Sequence, residues 1–198
     1  MKRKLVLASA SPRRRELLEG LGVEFTIRPC DIDEYRLSGE KGEDYALRTA
    51  ARKAEAVELG ADDSDSLVLA ADTVVCIDDE ILGKPEDKAD AERMLRLLSG
   101  REHTVITGVA LLDRANGTLI SDKACTRVRF KPLSDREIEA YIKTGEPMGK
   151  AGAYAIQGKC SLLIQEIKGD YFNVVGLPLQ LIYDMFCQVG VNLLSGGN

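Results

Sequence analysis

Strand-like apolar runs and helix-period runs alternate along this chain, with turn residues between nearly every pair, and that alternation commits it to an α/β fold around a mixed sheet. Leu5-Val6-Leu7-Ala8 reads as a short buried strand that enters a small-residue turn and then a helix at Glu16-Leu17-Leu18-Glu19. Glu24 to Ile27 reads as a second short strand, Gly42 to Leu59 as a helix, and Leu67 to Ile77 as a long apolar strand. Asp78-Asp79 turns into a strand at Glu80-Ile81-Leu82, and Asp87 to Leu98 is helical until Ser99-Gly100 stops it. Asn116-Gly117, a strong hairpin signal, joins strands from His103 to Leu112 and from Thr118 to Phe130. Ser134-Asp135-Arg136-Glu137 fits a capping box for a helix that ends at Gly145. A small-residue loop leads to a strand around Leu162 to Ile167 and a Lys168-Gly169-Asp170 turn. Tyr171 to Val175 is expected to return as a strand before a final helix after Pro178. No repeat, low-complexity segment or linker interrupts the pattern, so residues 1–198 are expected to form a single α/β domain.

Composition narrows the function classes. An apolar content of 44% supports a real core. A net charge of −5 argues against nucleic acid polymers or an anionic membrane as partners, so any anion site must be a local basic cluster. The five cysteines (Cys30, Cys76, Cys125, Cys160 and Cys187) form no CxxC motif and are expected to be reduced, mostly core, residues of a cytoplasmic protein. Met1-Lys2-Arg3-Lys4 is basic, but the apolar run after it is too short for a signal peptide or a membrane span. His103 is the only histidine, which excludes histidine-rich metal sites and two-histidine mechanisms.

Several residues break their local pattern. Ser11 is placed to cap the first helix, and Pro12 suits its first position. Arg13-Arg14-Arg15 then runs against the helix dipole, which reads either as a site for a polyanion or as a solvated basic face. Asp72 is a carboxylate inside an otherwise apolar strand, which costs several kcal/mol, ~2–7 for a merely polar group, unless it is paired or metal-bound. A metal ligand or general base is the favoured reading; a structural aspartate bonded to backbone N–H groups is the other. Lys53 falls in register with Ala46, Ala50 and Val57 on the buried helix face, as either a snorkelling stem or a functional cation. Glu34 ends an acidic cluster, Lys84 sits on a Gly-Lys-Pro turn, and Gln157 lies in the small-residue segment from Lys150 to Gly158. The chain has neither a GxxxxGK[ST] nor a GxGxxG motif.

Taken together, these segments resemble the Maf family of nucleoside triphosphate pyrophosphatases. The resemblance runs through Leu7-Ala8-Ser9-Ala10-Ser11-Pro12-Arg13-Arg14, Ala71-Asp72-Thr73-Val74-Val75 and Gly83-Lys84-Pro85. It continues through Leu98-Ser99-Gly100, Thr107-Gly108-Val109, the Lys150 to Gly158 segment and Asn173-Val174-Val175-Gly176-Leu177-Pro178. It implies an elongated mixed sheet flanked by helices, with two lobes and a central cleft, similar to the inosine triphosphatase fold. The implied reaction is hydrolysis of a nucleoside triphosphate to the monophosphate and pyrophosphate with Mg²⁺ or Mn²⁺. By the same resemblance Asp72 is the proton acceptor and, with Glu34, a metal partner. Arg13, Thr73 and Gln157 match positions for substrate selection, and Ser9, Lys53 and Lys84 match polar positions around the phosphates. Arg14 and Arg15 are expected to be partly surface charge. The Lys150 to Gly158 segment resembles the branch acting on dTTP and UTP, with Ala155 where glycine is common. Other readings within the resemblance are a 7-methyl-GTP or broad-specificity pyrophosphatase and a nucleotide-sensing regulator of septum formation. A homodimer is implied as well. The tail from Asn192 to Asn198 matches nothing in the family and is expected to fray.

Overall fold

The computed structural model describes residues 3–60 and 63–195. In chain order the elements are β1 (Leu5–Leu7), α1 (Pro12–Gly20), β2 (Thr26–Ile27), α2 (Gly42–Ala56), β3 (Leu67–Ile77), β4 (Glu80–Leu82) and α3 (Lys88–Leu98). They continue with β5 (Glu102–Asp113), β6 (Thr118–Phe130), α4 (Asp135–Lys143), β7 (Ile164–Lys168), α5 (Tyr171–Val175) and α6 (Leu179–Gln188). The strands form one mixed sheet in the order β2-β1-β3-β5-β6-β7, with β4 paired to β3. β1 runs parallel to both β2 and β3, whereas the β3–β4 and β6–β7 pairs are antiparallel.

The chain divides into two compact units. The first holds the residues up to Asp72, 107–124 and those from Gly176 onward. Alternation along its strands sorts two apolar clusters onto opposite faces. Leu5 and Leu7 of β1, Leu67, Leu69 and Ala71 of β3, and Val109 and Leu111 of β5 pack with Leu18 of α1 and with Ile182, Met185 and Phe186 of α6. The alternate residues, Val6, Val68, Ala70 and Ala110, pack with Ala50 and Ala54 of α2. Gly108 explains how α2 comes so near: a Cβ there would lie 2.3 Å from the carbonyl oxygen of Ala46. The second unit, 73–106 and 125–175, has one core. There Val75, Leu82, Val105, Val128 and Phe130 meet Met94, Leu95 and Leu98 of α3 and Ile138 and Tyr141 of α4.

Several expectations need correction. Tyr171–Val175 is a helical turn, not a strand. A short apolar run fits either state, and the Asp170 carboxylate accepts the Phe172 N–H at 2.8 Å, which starts a helix. α2 ends at Ala56, three residues before Leu59, because Val57 turns extended and buries its side chain beside Ala54. Ser11 occupies the N-cap position of α1, but its side chain makes no cap bond. β2 covers only Thr26–Ile27, and β7 starts at Ile164, leaving Leu162 exposed. Of the five free cysteines only Cys160 is buried; Cys125 and Cys187 are exposed. Within the tail, Leu193–Ser195 forms a 3-10 turn in place of a frayed end, and the Leu194 N–H reaches Asn192 Oδ1 at 2.9 Å. Residues 196–198 of that tail, and Met1 and Lys2 of the basic start, lie outside the described residues.

Candidate active site

Strand alternation places Asp72 on the α2 side of β3, next in line after Val68 and Ala70. Helical spacing places Lys53 on the α2 face that carries Ala46 and Ala50. The two meet with Lys53 Nζ 2.7 Å from Asp72 Oδ1. The same ammonium lies 2.6 Å from Glu34 Oε1. Lys53 therefore does not snorkel, and Asp72 takes a cation as its partner. Burial alone would lower the pKa of Lys53, but Asp72 and then Glu34 outweigh it, and the net direction is upward. Removing one member of such a pair would leave an uncompensated charge, a loss of about 3–5 kcal/mol where burial is complete.

Glu34 belongs to an irregular loop that α2 holds along its length. Tyr45 donates its hydroxyl to the Glu34 carbonyl at 3.1 Å, and Arg52 reaches the Asp33 carbonyl at 2.9 Å. Arg48 bonds the Tyr35 carbonyl at 2.8 Å and pairs with Glu40. The guanidinium groups of Arg48 and Arg52 also lie over the Tyr35 ring, 5.3 and 5.1 Å from its centroid. One helix thus supplies the central cation from one side and positions Glu34 from another.

The opening turn corrects the expectation about its arginines. Arg14, one helical turn from the core residue Leu18, is buried, while Arg13 is half-buried and Arg15 exposed. Arg14 Nε donates to the Gly176 carbonyl at 2.8 Å, and Nη1 donates to the Ala71 carbonyl at 2.8 Å and to Ser9 Oγ at 3.2 Å. It ties together three of the sequence segments read above. Burial lowers its pKa, the attraction of Asp72 opposes that, and repulsion from Arg13 adds to it. The available signal was the spacing of Arg14 from Leu18; the basic run concealed it.

The remaining candidates belong to the second unit. Thr73 follows Asp72 on β3 and is half-buried. Lys84 and Gln157 are both exposed, on segments whose backbones are fixed. The Gly152 N–H bonds the Gly83 carbonyl at 3.0 Å, joining the Lys84 turn to the segment before Gln157. Gly152 has φ +66°, and a Cβ there would lie 2.9 Å from Val75. Ala153 beside it also has positive φ, at 58°, a strained conformation for alanine. Tyr141 and Glu146, which motif reading did not single out, hold the other end. Tyr141 donates to Glu146 at 2.9 Å and accepts the Ala155 N–H at 3.2 Å. Glu146 also accepts the N–H groups of Lys159 and Cys160 at 2.9 and 3.2 Å.

Among the described residues, no group of three or more His, Cys, Asp or Glu side chains is arranged to hold a metal ion. Glu34 and Asp72 nevertheless present two hard oxygen donors to a single cationic position, that of Lys53 Nζ. That donor set suits Mg²⁺ or Mn²⁺, which take one or two protein carboxylates and complete their shell with phosphate and water oxygens. Among the described residues, no helix is long and apolar enough to cross a membrane.

Comparison with known proteins follows the same lines. The family model for Maf-like protein matches residues 4–189. A dTTP/UTP pyrophosphatase of Moorella thermoacetica is 52% identical over 192 residues, 96% of this chain and 97% of that protein. Proteins of the same name from Geotalea uraniireducens and Symbiobacterium thermophilum are 50% and 48% identical. These matches cover 96% of each chain in the first case, and 98% of this chain and 97% of its relative in the second. The structure of the Staphylococcus aureus Ham1 protein covers 95% of this chain and 100% of its own, with a TM-score of 0.53 at 12% identity. That likeness shows the fold and agrees with the expected inosine-triphosphatase-like architecture. Matched from residue 4 to residue 189, and about half identical to its relatives over nearly their whole length, this chain belongs to the Maf family.

Proposed function

We propose that this protein hydrolyses dTTP and UTP to the nucleoside monophosphate and pyrophosphate. The observation that carries the reading is a buried carboxylate–lysine pair, Asp72 with Lys53, in a chain about half identical to proteins named dTTP/UTP pyrophosphatase. Asp72 accepts a proton from the water that attacks the α-phosphorus, and pyrophosphate leaves. Burial and the adjoining ammonium fix where that carboxylate stands, and general-base assistance of this kind is worth about 10²–10⁴-fold in rate. Lys53, Arg13 and Lys84 compensate charge on the phosphate oxygens as the leaving group departs. Ser9 donates to a phosphate oxygen. Gln157, with one donor and one acceptor group, pairs with the amide-like edge of the pyrimidine, and Thr73 shapes the base pocket.

Glu34 and Asp72 are the residues that would hold a divalent cation, Mg²⁺ or Mn²⁺. Such an ion supplies charge compensation on the phosphates and a lower pKa for bound water. Support for the scheme comes from the convergence of the two carboxylates on one cationic position and from the family's sequence pattern.

The test is release of pyrophosphate and dTMP from dTTP with metal present, in wild type and Asp72→Asn. Wild type should turn over, and the variant should lose about 10²–10⁴-fold in kcat. A variant within a few-fold of wild type would remove Asp72 from the role of proton acceptor. Tight dTTP binding without product in wild type would favour a nucleotide sensor.

A further inference from the structure

Ser9 sits just beyond β1, where its hydroxyl oxygen meets two donors from the protein. The Ser11 N–H approaches Ser9 Oγ at 3.2 Å, and Arg14 Nη1 approaches it at 3.2 Å. A serine oxygen has two acceptor positions and one proton. With both positions filled, what remains to Ser9 is to donate. The guanidinium that fills the second position is itself held fast. It is buried, and it also donates to the backbone carbonyls of Gly176 and Ala71 at 2.8 Å each. Neither carbonyl can move without displacing the strand or the turn that carries it. Arg14 is thus a charged side chain turned inward, away from the role of anion contact that a basic helix start suggests.

We propose that Arg14 is a positioning residue that makes Ser9 an obligatory hydrogen-bond donor to an anionic oxygen of the ligand. The proposal rests on the pyrophosphatase reading only in naming that ligand as a triphosphate. A charged acceptor gains most from a donor fixed in this way, because no competing orientation of the hydroxyl has to be given up.

Arginine and lysine are not equivalent here. A lysine ammonium keeps the charge but cannot reproduce the flat fork that spans two carbonyls and a hydroxyl. The test is a double-mutant cycle on dTTP binding, measured by calorimetry in EDTA so that no turnover is required, with Arg14→Lys, Ser9→Ala and the double variant. Each single variant should weaken dTTP about tenfold, the scale of a hydrogen bond to a charged group. In the Ser9→Ala background Arg14→Lys should cost less than about threefold, with stoichiometry unchanged, because its effect passes through a hydroxyl already removed. Additive losses, or a loss that appears as reduced stoichiometry, would overturn the proposal and leave Arg14 a purely structural residue. Should Arg14→Lys fail to fold, Arg14→Ala with added guanidinium decides the question. Guanidinium should tighten dTTP binding in Arg14→Ala and not in the variant that also carries Ser9→Ala; equal tightening, or none, counts against it. The pyrophosphatase reading is judged separately, by whether wild type that binds dTTP also releases pyrophosphate when metal is restored.

Discussion

In the first compact unit three charged side chains are turned inward: those of Lys53 and Asp72 are only 12% and 10% exposed, and Arg14 is buried, whereas Glu34 stands exposed at the edge of the cluster. In the second, Lys84 and Gln157 stand exposed on turns, and it is the residues behind them, Tyr141, Glu146 and Gly152, that are fixed. Burying opposite charges together fixes their geometry and strengthens their fields, which suits bond breaking. An exposed side chain on a rigid backbone costs little to exchange, which suits selection among ligands. In the function proposed above, Lys53 and Asp72 of the first unit serve the chemistry, Gln157 of the second reads the base, and Lys84 joins the cations on the phosphates.

Four predictions bear on that contrast. Lys53→Met removes the cation shared by Asp72 and Glu34. It should lower kcat for every nucleotide by about 10²–10³-fold, read by pyrophosphate release. A chain in which this change affected one nucleotide only would break the division. Gly108→Ala should come next. Its Cβ would meet the α2 backbone at Ala46, and overpacking of this kind costs about 1–3 kcal/mol. Denaturant unfolding should show that loss, with a general fall in kcat as α2 and Lys53 shift. The counterpart change Gly152→Ala strains a left-handed position against Val75 in the second unit. It should alter the preference between nucleotides more than the rate on the best one, read from kcat/KM across a panel.

The smallest expected effect on activity concerns the lone histidine. His103 is buried, its Nε2 lies 2.8 Å from the Tyr154 hydroxyl, and its ring packs edge-on to Phe130 and Tyr154. Burial lowers its pKa from 6.5 to about 4, with Glu102 opposing the shift. Between those values the unfolded chain binds the extra proton, so the contribution is complete above pH 6.5 and is lost as pH falls to 4. The loss is about 3 kcal/mol by linkage. Denaturant midpoints at pH 7 and pH 4.5 should differ more in wild type than in His103→Gln, while kcat at pH 7.5 stays the same. Equal pH dependence in the two proteins would contradict this.

Strand and helix positions were legible wherever turn chemistry marked them. Asn116-Gly117, Ser99-Gly100 and the Ser134 capping box all stand at their expected places. The five residues from Tyr171 to Val175 were not legible, since no periodicity fits so short a run and Asp170 decides the outcome through a local bond. Within the candidate site, Asp72 and Lys53 stood out because each breaks an apolar pattern, and the structure pairs them. Arg14 could not be separated from its neighbours by residue type, because its burial depends on the carbonyls of Ala71 and Gly176, far away in sequence. Tyr141 and Glu146 were silent for a similar reason. Each reads as an ordinary helix or loop residue until the segment from Ala155 to Cys160 folds back over it.

The division between chemistry and selection is tested most directly by measuring kcat/KM for dTTP, UTP and 7-methyl-GTP in wild type, Lys53→Met and Gln157→Ala. The account predicts that Lys53→Met lowers all three by a similar factor and that Gln157→Ala changes their ratio by about tenfold, the worth of one base-reading contact. A Lys53→Met protein whose ratios move as far as those of Gln157→Ala, or a Gln157→Ala protein that loses all three equally, would contradict it.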